Sequence, residues 1–247
     1  MKKIITSSGL CFLFLYSLSC FSGNNIKENR KYAVVMISSN HHISYYDSTG
    51  KDKEENAIGT YKTPGKTTGG ETLEEKTEYD RINFGQNTEE ITVKFADELE
   101  KKIRDEGINI LPFTDVVNDE FYSSIAVKAG SDKQNTYYPV GFGAVPYANR
   151  QIMEKLCNKL RIDGYIIVRI FLLKEETGEI FKTPREVIPA AKVELDIFDK
   201  SGKILHGKER TIRSERVILV DGEKTNDALM EKEIRKCLTD ALREVLK

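Results

Sequence analysis

Apolar residues follow different rhythms along this chain, and each rhythm predicts a different element. Tyr32 to Ser38 is a continuous apolar run, YAVVMIS, of the length of a strand buried on both faces. Ile91, Phe95, Leu99 and Ile103 then recur every four residues, which predicts an amphipathic helix opened by the polar Asn87-Thr88-Glu89-Glu90 and ended at Gly107. Ile108 to Leu111 predicts a second short strand, closed by Pro112. A helix from Asp115 through Lys128 would gather Val117, Phe121 and Ile125 on one face, and another from about Ala148 to Arg161 would present Met153, Leu156, Cys157 and Leu160 together. Asp163-Gly164 turns that helix into the strand Tyr165 to Leu173. Alternation from Lys192 to Phe198 puts Val193, Leu195 and Ile197 inward, and the turn Asp199-Lys200-Ser201-Gly202 joins it to a run from Lys203 to about Arg213 as a hairpin. A last helix, from about Asn226 to Val245, places Met230, Ile234, Cys237, Leu238, Ala241, Leu242 and Val245 on one stripe.

The periodicity lapses in two places. Residues 39–86 are rich in Gly, Thr, Lys, Glu and Asn and form a long insertion after the first strand. Loops beyond about 12–15 residues are usually functional or disordered, and the sequence leaves both open here. Residues 20–30 are polar and aperiodic and read as a tether. What remains is helix-into-strand alternation, so the expected fold is α/β: a layered sandwich with a mixed sheet flanked by amphipathic helices, built by residues 31–247 as one domain. Three passages carry a resemblance: Tyr32 to Ser38, the stretch Gly107-Ile108-Asn109-Ile110-Leu111-Pro112, and Leu160-Arg161-Ile162-Asp163-Gly164-Tyr165-Ile166-Ile167-Val168. In their order the chain resembles, at fold level, a group of envelope lipoproteins. The group includes the curli secretion-channel lipoprotein, the lipoprotein activators of penicillin-binding proteins and the amino-terminal domain of the Tol-system propeller protein. The insertion at 39–86 departs from that group.

The amino terminus has the layout of an export signal. Lys2 and Lys3 precede an apolar stretch from Leu10 to Leu18, followed by small residues and Cys20. That stretch is about half of the roughly 20 residues a membrane-crossing helix needs, so residues 1–19 read as a signal peptide. Ser17-Leu18-Ser19-Cys20 resembles the lipobox of bacterial lipoproteins, with leucine two residues before the cysteine instead of three. Spirochaetes use looser boxes of this sort, and the leader looks like theirs. The resemblance implies cleavage before Cys20 and acylation of Cys20, with attachment to the membrane through the lipid alone; Ser17 and Ser19 also satisfy the small-x-small rule of ordinary signal peptidase, which would cut the same bond and export the protein. Two or three acyl chains suffice for stable anchoring, at about 0.8 kcal/mol per buried CH₂. Phe21 after Cys20, in place of the Asp that favours inner-membrane retention, points to the outer membrane, on its periplasmic face or at the cell surface.

Composition adds mainly exclusions. The 38 basic and 39 acidic side chains nearly cancel, so no whole-chain field favours nucleic acid. Gly59-Thr60-Tyr61-Lys62-Thr63-Pro64-Gly65-Lys66-Thr67 ends like a phosphate-binding loop, but it has one residue too many between its glycines and no strand before it. His41-His42 beside Tyr45, Tyr46 and Asp47 carry metal-donor atoms, yet neighbouring histidines on an extended chain point apart and only His206 lies elsewhere. The hydrolase elbow and the zinc-protease motif are absent, and Glu89-Glu90 and Glu175-Glu176 sit in exposed charge runs. The expectation is a protein without catalysis, cofactor or metal.

Two surface candidates remain. Tyr137, Tyr138, Phe142 and Tyr147 fall in a glycine-rich stretch suited to recognition, since aromatics on loops bury large area at low entropy cost. Ile180 and Phe181, with Val187 and Ile188, are apolar pairs within the charged connection from Lys174 to Pro189. Cys157 and Cys237 lie on apolar helix faces and are read either as small buried hydrophobes or as a disulfide. The expected function is therefore a lipid-anchored binding or assembly module with an envelope protein as partner. A surface-displayed adhesin or host-ligand binder and a carrier of a small apolar ligand are the alternatives.

Overall fold

The computed structural model describes residues 30–40, 43–45, 85–127, 136–177, 185–220 and 227–247. In chain order the elements are β1 (Tyr32–Asn40), β2 (Ser44–Tyr45), α1 (Gly85–Asp105), α2 (Phe113–Val117), α3 (Glu120–Ile125), β3 (Thr136–Tyr137), α4 (Arg150–Leu160), β4 (Gly164–Thr177), β5 (Arg185–Asp199), β6 (Ile204–Arg213), β7 (Ile218–Val220) and α5 (Asp227–Leu246). The strands form one mixed sheet in the order β3-β1-β4-β5-β6, with β2 beside β4 and β7 beside β5. β1 runs parallel to β4, whereas β4, β5 and β6 are antiparallel neighbours. The expected α/β sandwich with a mixed sheet is what the described residues form.

β1 accepts its apolar run because helices cover it from both sides: Tyr32, Ala33, Val34, Val35 and Ile37 are all inaccessible to solvent. On the longer strands burial alternates with the pleat only at the centre, over residues 168–172 of β4 and 191–197 of β5. Ile166, Val168, Ile170 and Leu172 of β4 and Ala191, Val193, Leu195 and Ile197 of β5 share one face, opposite one another in the register. α5 packs on that face through Met230, Ile234, Leu238, Ala241, Leu242 and Val245, with α1 alongside it. The opposite face begins at Tyr165 and Phe198, whose rings stack at 4.9 Å next to α4.

Two helices enter the sheet by the same turn. After α1, Gly107 takes φ +80° while Gly107 N–H donates to Arg104 O and Ile108 N–H to Ile103 O. After α4, Arg161 takes φ +54°, with Arg161 N–H on Asn158 O and Ile162 N–H on Cys157 O. Both are left-handed caps that satisfy orphan carbonyls and drop an isoleucine, Ile108 or Ile162, into the core.

Several expected elements change form. Ile108 to Leu111 is no strand of its own but a single bridge to β1 at Tyr32 and Ile110, because the chain turns into α2 at Pro112 after one pairing. The helix expected from Asp115 to Lys128 is two short helices. Asp119 accepts a 2.8 Å bond from Tyr122 N–H and caps α3, which restarts the helix and rotates its buried face. Phe113, Val116 and Tyr122 are thus the buried residues, and Val117, Phe121 and Ile125 are only partly covered. Lys174 to Pro189 is not an open connection, since β4 and β5 continue as a hairpin to Thr177 and Glu186. Of the 39–86 insertion, the described part is Ser39 and Asn40 of β1, Ile43 to Tyr45, and the first turn of α1. Asn40 ends β1 by bonding Leu172 with its side chain, donating to Leu172 O at 2.9 Å and accepting from Leu172 N–H at 2.8 Å.

Gly164 marks the tightest approach in the sheet. A Cβ there would collide with the Phe198 carbonyl and come within 2.9 Å of the Tyr32 ring. Gly164→Ala is expected to cost about 3 kcal/mol, at the upper end of overpacking changes, read as a lowered urea midpoint at unchanged slope.

Candidate functional site

On β4 and β5 the residues alternate strictly, so the face turned away from α5 carries whatever the buried face does not. At its centre that face is charged. Arg169 of β4 lies opposite Glu194 of β5, which lies opposite Glu209 of β6. The guanidinium donates from Nε to Glu194 Oε2 at 2.7 Å and from Nη2 to Asp196 Oδ2 at 2.6 Å. Lys192 Nζ meets Glu194 Oε1 at 2.9 Å and Glu209 Oε2 at 3.1 Å, and lies 5.5 Å from the centre of the Phe171 ring. Gly207 faces Asp196, and a Cβ there would stand 3.0 Å from Asp196 Oδ1, so the missing side chain gives that carboxylate its room.

The cluster is half-buried, with the Lys192 and Glu194 side chains 15% and 18% exposed and Glu209 65%. Its electrostatics follow from that position. Burial pulls the Lys192 pKa down, but the bonds from Glu194 and Glu209 outweigh it and hold the ammonium above the usual lysine value. Burial raises Glu194, and the bonds from Lys192 and Arg169 more than reverse this, leaving it below the usual carboxylate value. Arg169 is likewise raised by Glu194 and Asp196 against its own desolvation. Each group is held in its charged form. General acid–base work at neutral pH needs the opposite, a pKa brought towards 7.

The aromatic candidates separate. Phe142 is a core residue, 2% exposed, edge-on to Phe113 at 5.3 Å and to Tyr122 at 6.5 Å, so it is not available to a partner. Tyr122, which the sequence did not mark, organises that corner. Its hydroxyl donates to Val35 O at 3.0 Å and accepts from Gly143 N–H at 3.2 Å, and burial pushes its pKa up to about 12. Tyr137 pairs with β1 in β3, half-buried, and Tyr138 packs partly against the core. Tyr147 alone among the four stays well exposed, at 41%, and it lies in the neighbourhood of Arg169. Its carbonyl accepts from the Tyr165 hydroxyl at 3.4 Å. The site is therefore the Arg169–Glu194–Asp196–Lys192–Glu209 cluster with Tyr147 at its border.

Cys157 and Cys237 are free and buried. Cys157 lies next to Tyr165 on the α4 side, while Cys237 of α5 points its thiol at Pro189 O, 3.9 Å away, on the other side of the sheet. The sheet separates them, so the disulfide reading is replaced by two small buried hydrophobes. Burial raises their pKa values to about 12 and about 11, which suppresses the thiolate a nucleophile needs. Val187 is buried, opposite Ile218 of β7. Cys20, Ile180, Phe181, His41, His42 and the stretch from Gly59 to Thr67 lie outside the described residues. Among the described residues no group of His, Cys, Asp and Glu could hold a metal ion, and no helix is long and apolar enough to cross a membrane.

No family model matches the chain. No curated protein matches it. Among solved structures, the lipoprotein GNA1162 from Neisseria meningitidis is similar at 13% identity and a TM-score of 0.33, covering 85% of this chain and 96% of that one. The hypothetical protein CT253 from Chlamydia trachomatis is similar at 8% identity and a TM-score of 0.34, covering 88% of this chain and 93% of that one. Both likenesses are too loose to carry a residue or a role across.

Glu194→Gln is expected to destabilise the fold by about 2 kcal/mol at pH 7, since it removes two charge-assisted bonds from half-buried cations. The wild-type advantage is present above the unfolded glutamate pKa of about 4.3 and is lost as pH falls through the lower folded value. Urea melts of the two proteins should therefore draw together as pH falls below about 4.3. Mass spectrometry of alkylated, unreduced protein should find Cys157 and Cys237 each as a separate thiol after unfolding, and neither alkylated before it.

Proposed function

We propose that the chain is a lipid-anchored protein of the bacterial cell envelope whose α/β domain binds another envelope component and catalyses nothing. The observation that carries the binding half is the charged cluster on the sheet face. Charge pairs on a strand face stabilise a fold weakly, and a set of five, four of them half-buried, is better explained as a surface that selects a partner by charge. The shifts argue in the same direction: Lys192 and Arg169 rise, Glu194 falls, and the thiols of Cys157 and Cys237 rise, so each moves away from the range in which it could exchange protons or attack at neutral pH. Tyr147 at the border adds a large exposed ring to that surface.

The anchoring half rests on the leader and Cys20. Acylation there would moor the domain to the outer membrane of a spirochaete-like cell, with residues 21–30 as spacer. The carrier alternative has less support, because the space between α5 and the sheet is filled by Met230, Ile234, Leu238, Leu242, Val193 and Leu195, each at most 1% exposed.

Cys20→Ala should abolish palmitate labelling and move the protein from the membrane pellet to the soluble fraction. Unchanged partitioning of that variant would overturn the anchor.

A further inference from the structure

The two edges of the sheet are finished differently. On the β1 side, Tyr32 N–H donates to Asn109 O, Leu111 N–H donates to Tyr32 O, the Tyr122 hydroxyl caps Val35 O, and β3 pairs with Ser39 and Asn40. On the other side the sheet ends at β6, with no described strand beyond it. The direction of the β6 backbone follows from both ends of its pairing. Asp199 N–H bonds Lys203 O at the turn, and Ser214 N–H bonds Pro189 O at the far end, so the odd-numbered residues of β5 point their amides at β6. With Ile197 opposite His206, Leu195 opposite Lys208 and Val193 opposite Arg210, the amides of Gly207, Glu209, Thr211 and Arg213 point outward. The Arg210 guanidinium folds onto Glu209 O at 2.9 Å, in keeping with a carbonyl turned to that side. A row of outward N–H and C=O groups is a template for another strand.

The side chains restrict which strand. A second copy would have to pair antiparallel about a two-fold axis normal to the sheet, which puts residues of the same face opposite each other. The two registers with the longest overlap set Lys208 against Lys208, or Glu209 against Glu209 with Lys208 against Arg210. Like charges directly opposite are destabilising. For a different chain the balance is basic: Glu209 is already paired with Lys192, and Glu244, which lies near Arg210, is paired with Lys247 at 2.6 Å. Lys208 and Arg210, two residues apart on one face, therefore favour acidic groups at alternate positions of an incoming strand.

We propose that the outer edge of β6 receives an extended segment of another polypeptide, carrying Asp or Glu at every second position, as an added strand of the sheet. This deepens the binding reading by naming the partner's chemistry, and it is independent of the lipid anchor at Cys20. Affinity comes from main-chain bonds to Gly207, Glu209, Thr211 and Arg213, and selection from Lys208 and Arg210.

The test uses the detergent-solubilised full chain and two fluorescent peptides, one alternating valine with glutamate and one alternating valine with lysine. The acidic peptide is expected to bind, measured by anisotropy, and the basic one not to. Thr211→Pro removes one outward N–H without touching the β5 ladder, an edge position where proline is tolerated, and is expected to weaken binding about tenfold or more. Lys208→Glu with Arg210→Glu keeps every main-chain donor and acceptor of the edge, releasing only the Glu209 carbonyl that Arg210 covers, and should reverse the preference. Binding of neither peptide, equal binding by the well-folded Thr211→Pro protein, or a preference unmoved by the charge reversal would each overturn the proposal. So would a dimer of the wild-type chain that Thr211→Pro dissociates, since the occupant would then be a second copy. The Cys20→Ala protein should bind the acidic peptide unchanged, so failure of the anchor and failure of the edge give different results.

Discussion

The pairing of β4 with β5, unbroken from Gly164 opposite Asp199 to Thr177 opposite Glu186, is the constraint on which the rest of the molecule depends. Side chains on a strand alternate between faces, so this one register decides what every residue of both strands meets. A slip of β5 by a single position would turn Glu194 and Asp196 under α5 and lift Val193 and Leu195 onto the half-open face. The cost of burying those charges beside Ile234 and Leu238 would far exceed the stability of an ordinary domain. The ladder therefore supplies both the apolar layer that holds α5 and the polar surface opposite it.

From that division the other features follow. The face under α5 and α1 is closed by aliphatic packing and tied at its edge by His206, whose Nε2 meets Val245 O at 3.0 Å. The opposite face is covered at one end, where α4 and the Tyr165–Phe198 stack meet, and its centre stays half-open. Charges at such a position are stable only if they are paired, and here two cations are shared among three carboxylates so that each carboxylate has a cationic partner. The same pleat turns the basic residues of β6 to the α5 side and its outward amides to the edge that no described strand covers. The charged face and the outward amides of β6 are thus two results of one register.

Most of the fold was legible because its elements carry strong local periodicity. The stripe from Met230 to Val245, the run of β1 and the hairpin at Asp199 to Gly202 stand where their patterns put them. The turn is held locally, by Asp199 Oδ1 accepting from Ser201 N–H, Ser201 Oγ and Lys203 N–H, and local bonds are what a sequence displays. The break between α2 and α3 was missed because an apolar spacing continues through it, and the Asp119 cap is visible only once Tyr122 is seen to be the buried residue. The charged site was missed for another reason. Its members stand on three strands, and their alternation with Val193, Leu195 and Ile197 signals an exposed face without saying which cation on β4 lies opposite.

By itself the sequence determined the class of fold, the faces of its long helices and the inward residues of β5, because each depends on spacing within one segment. Only the tertiary structure decided that Phe142 is core and Tyr147 is surface, and that Cys157 and Cys237 stand on opposite sides of the sheet. It also brought Arg169 and Lys192 onto the same carboxylate, Glu194. These depend on distances between residues far apart in the chain, which are set when the strands find their register and the helices choose a face to cover.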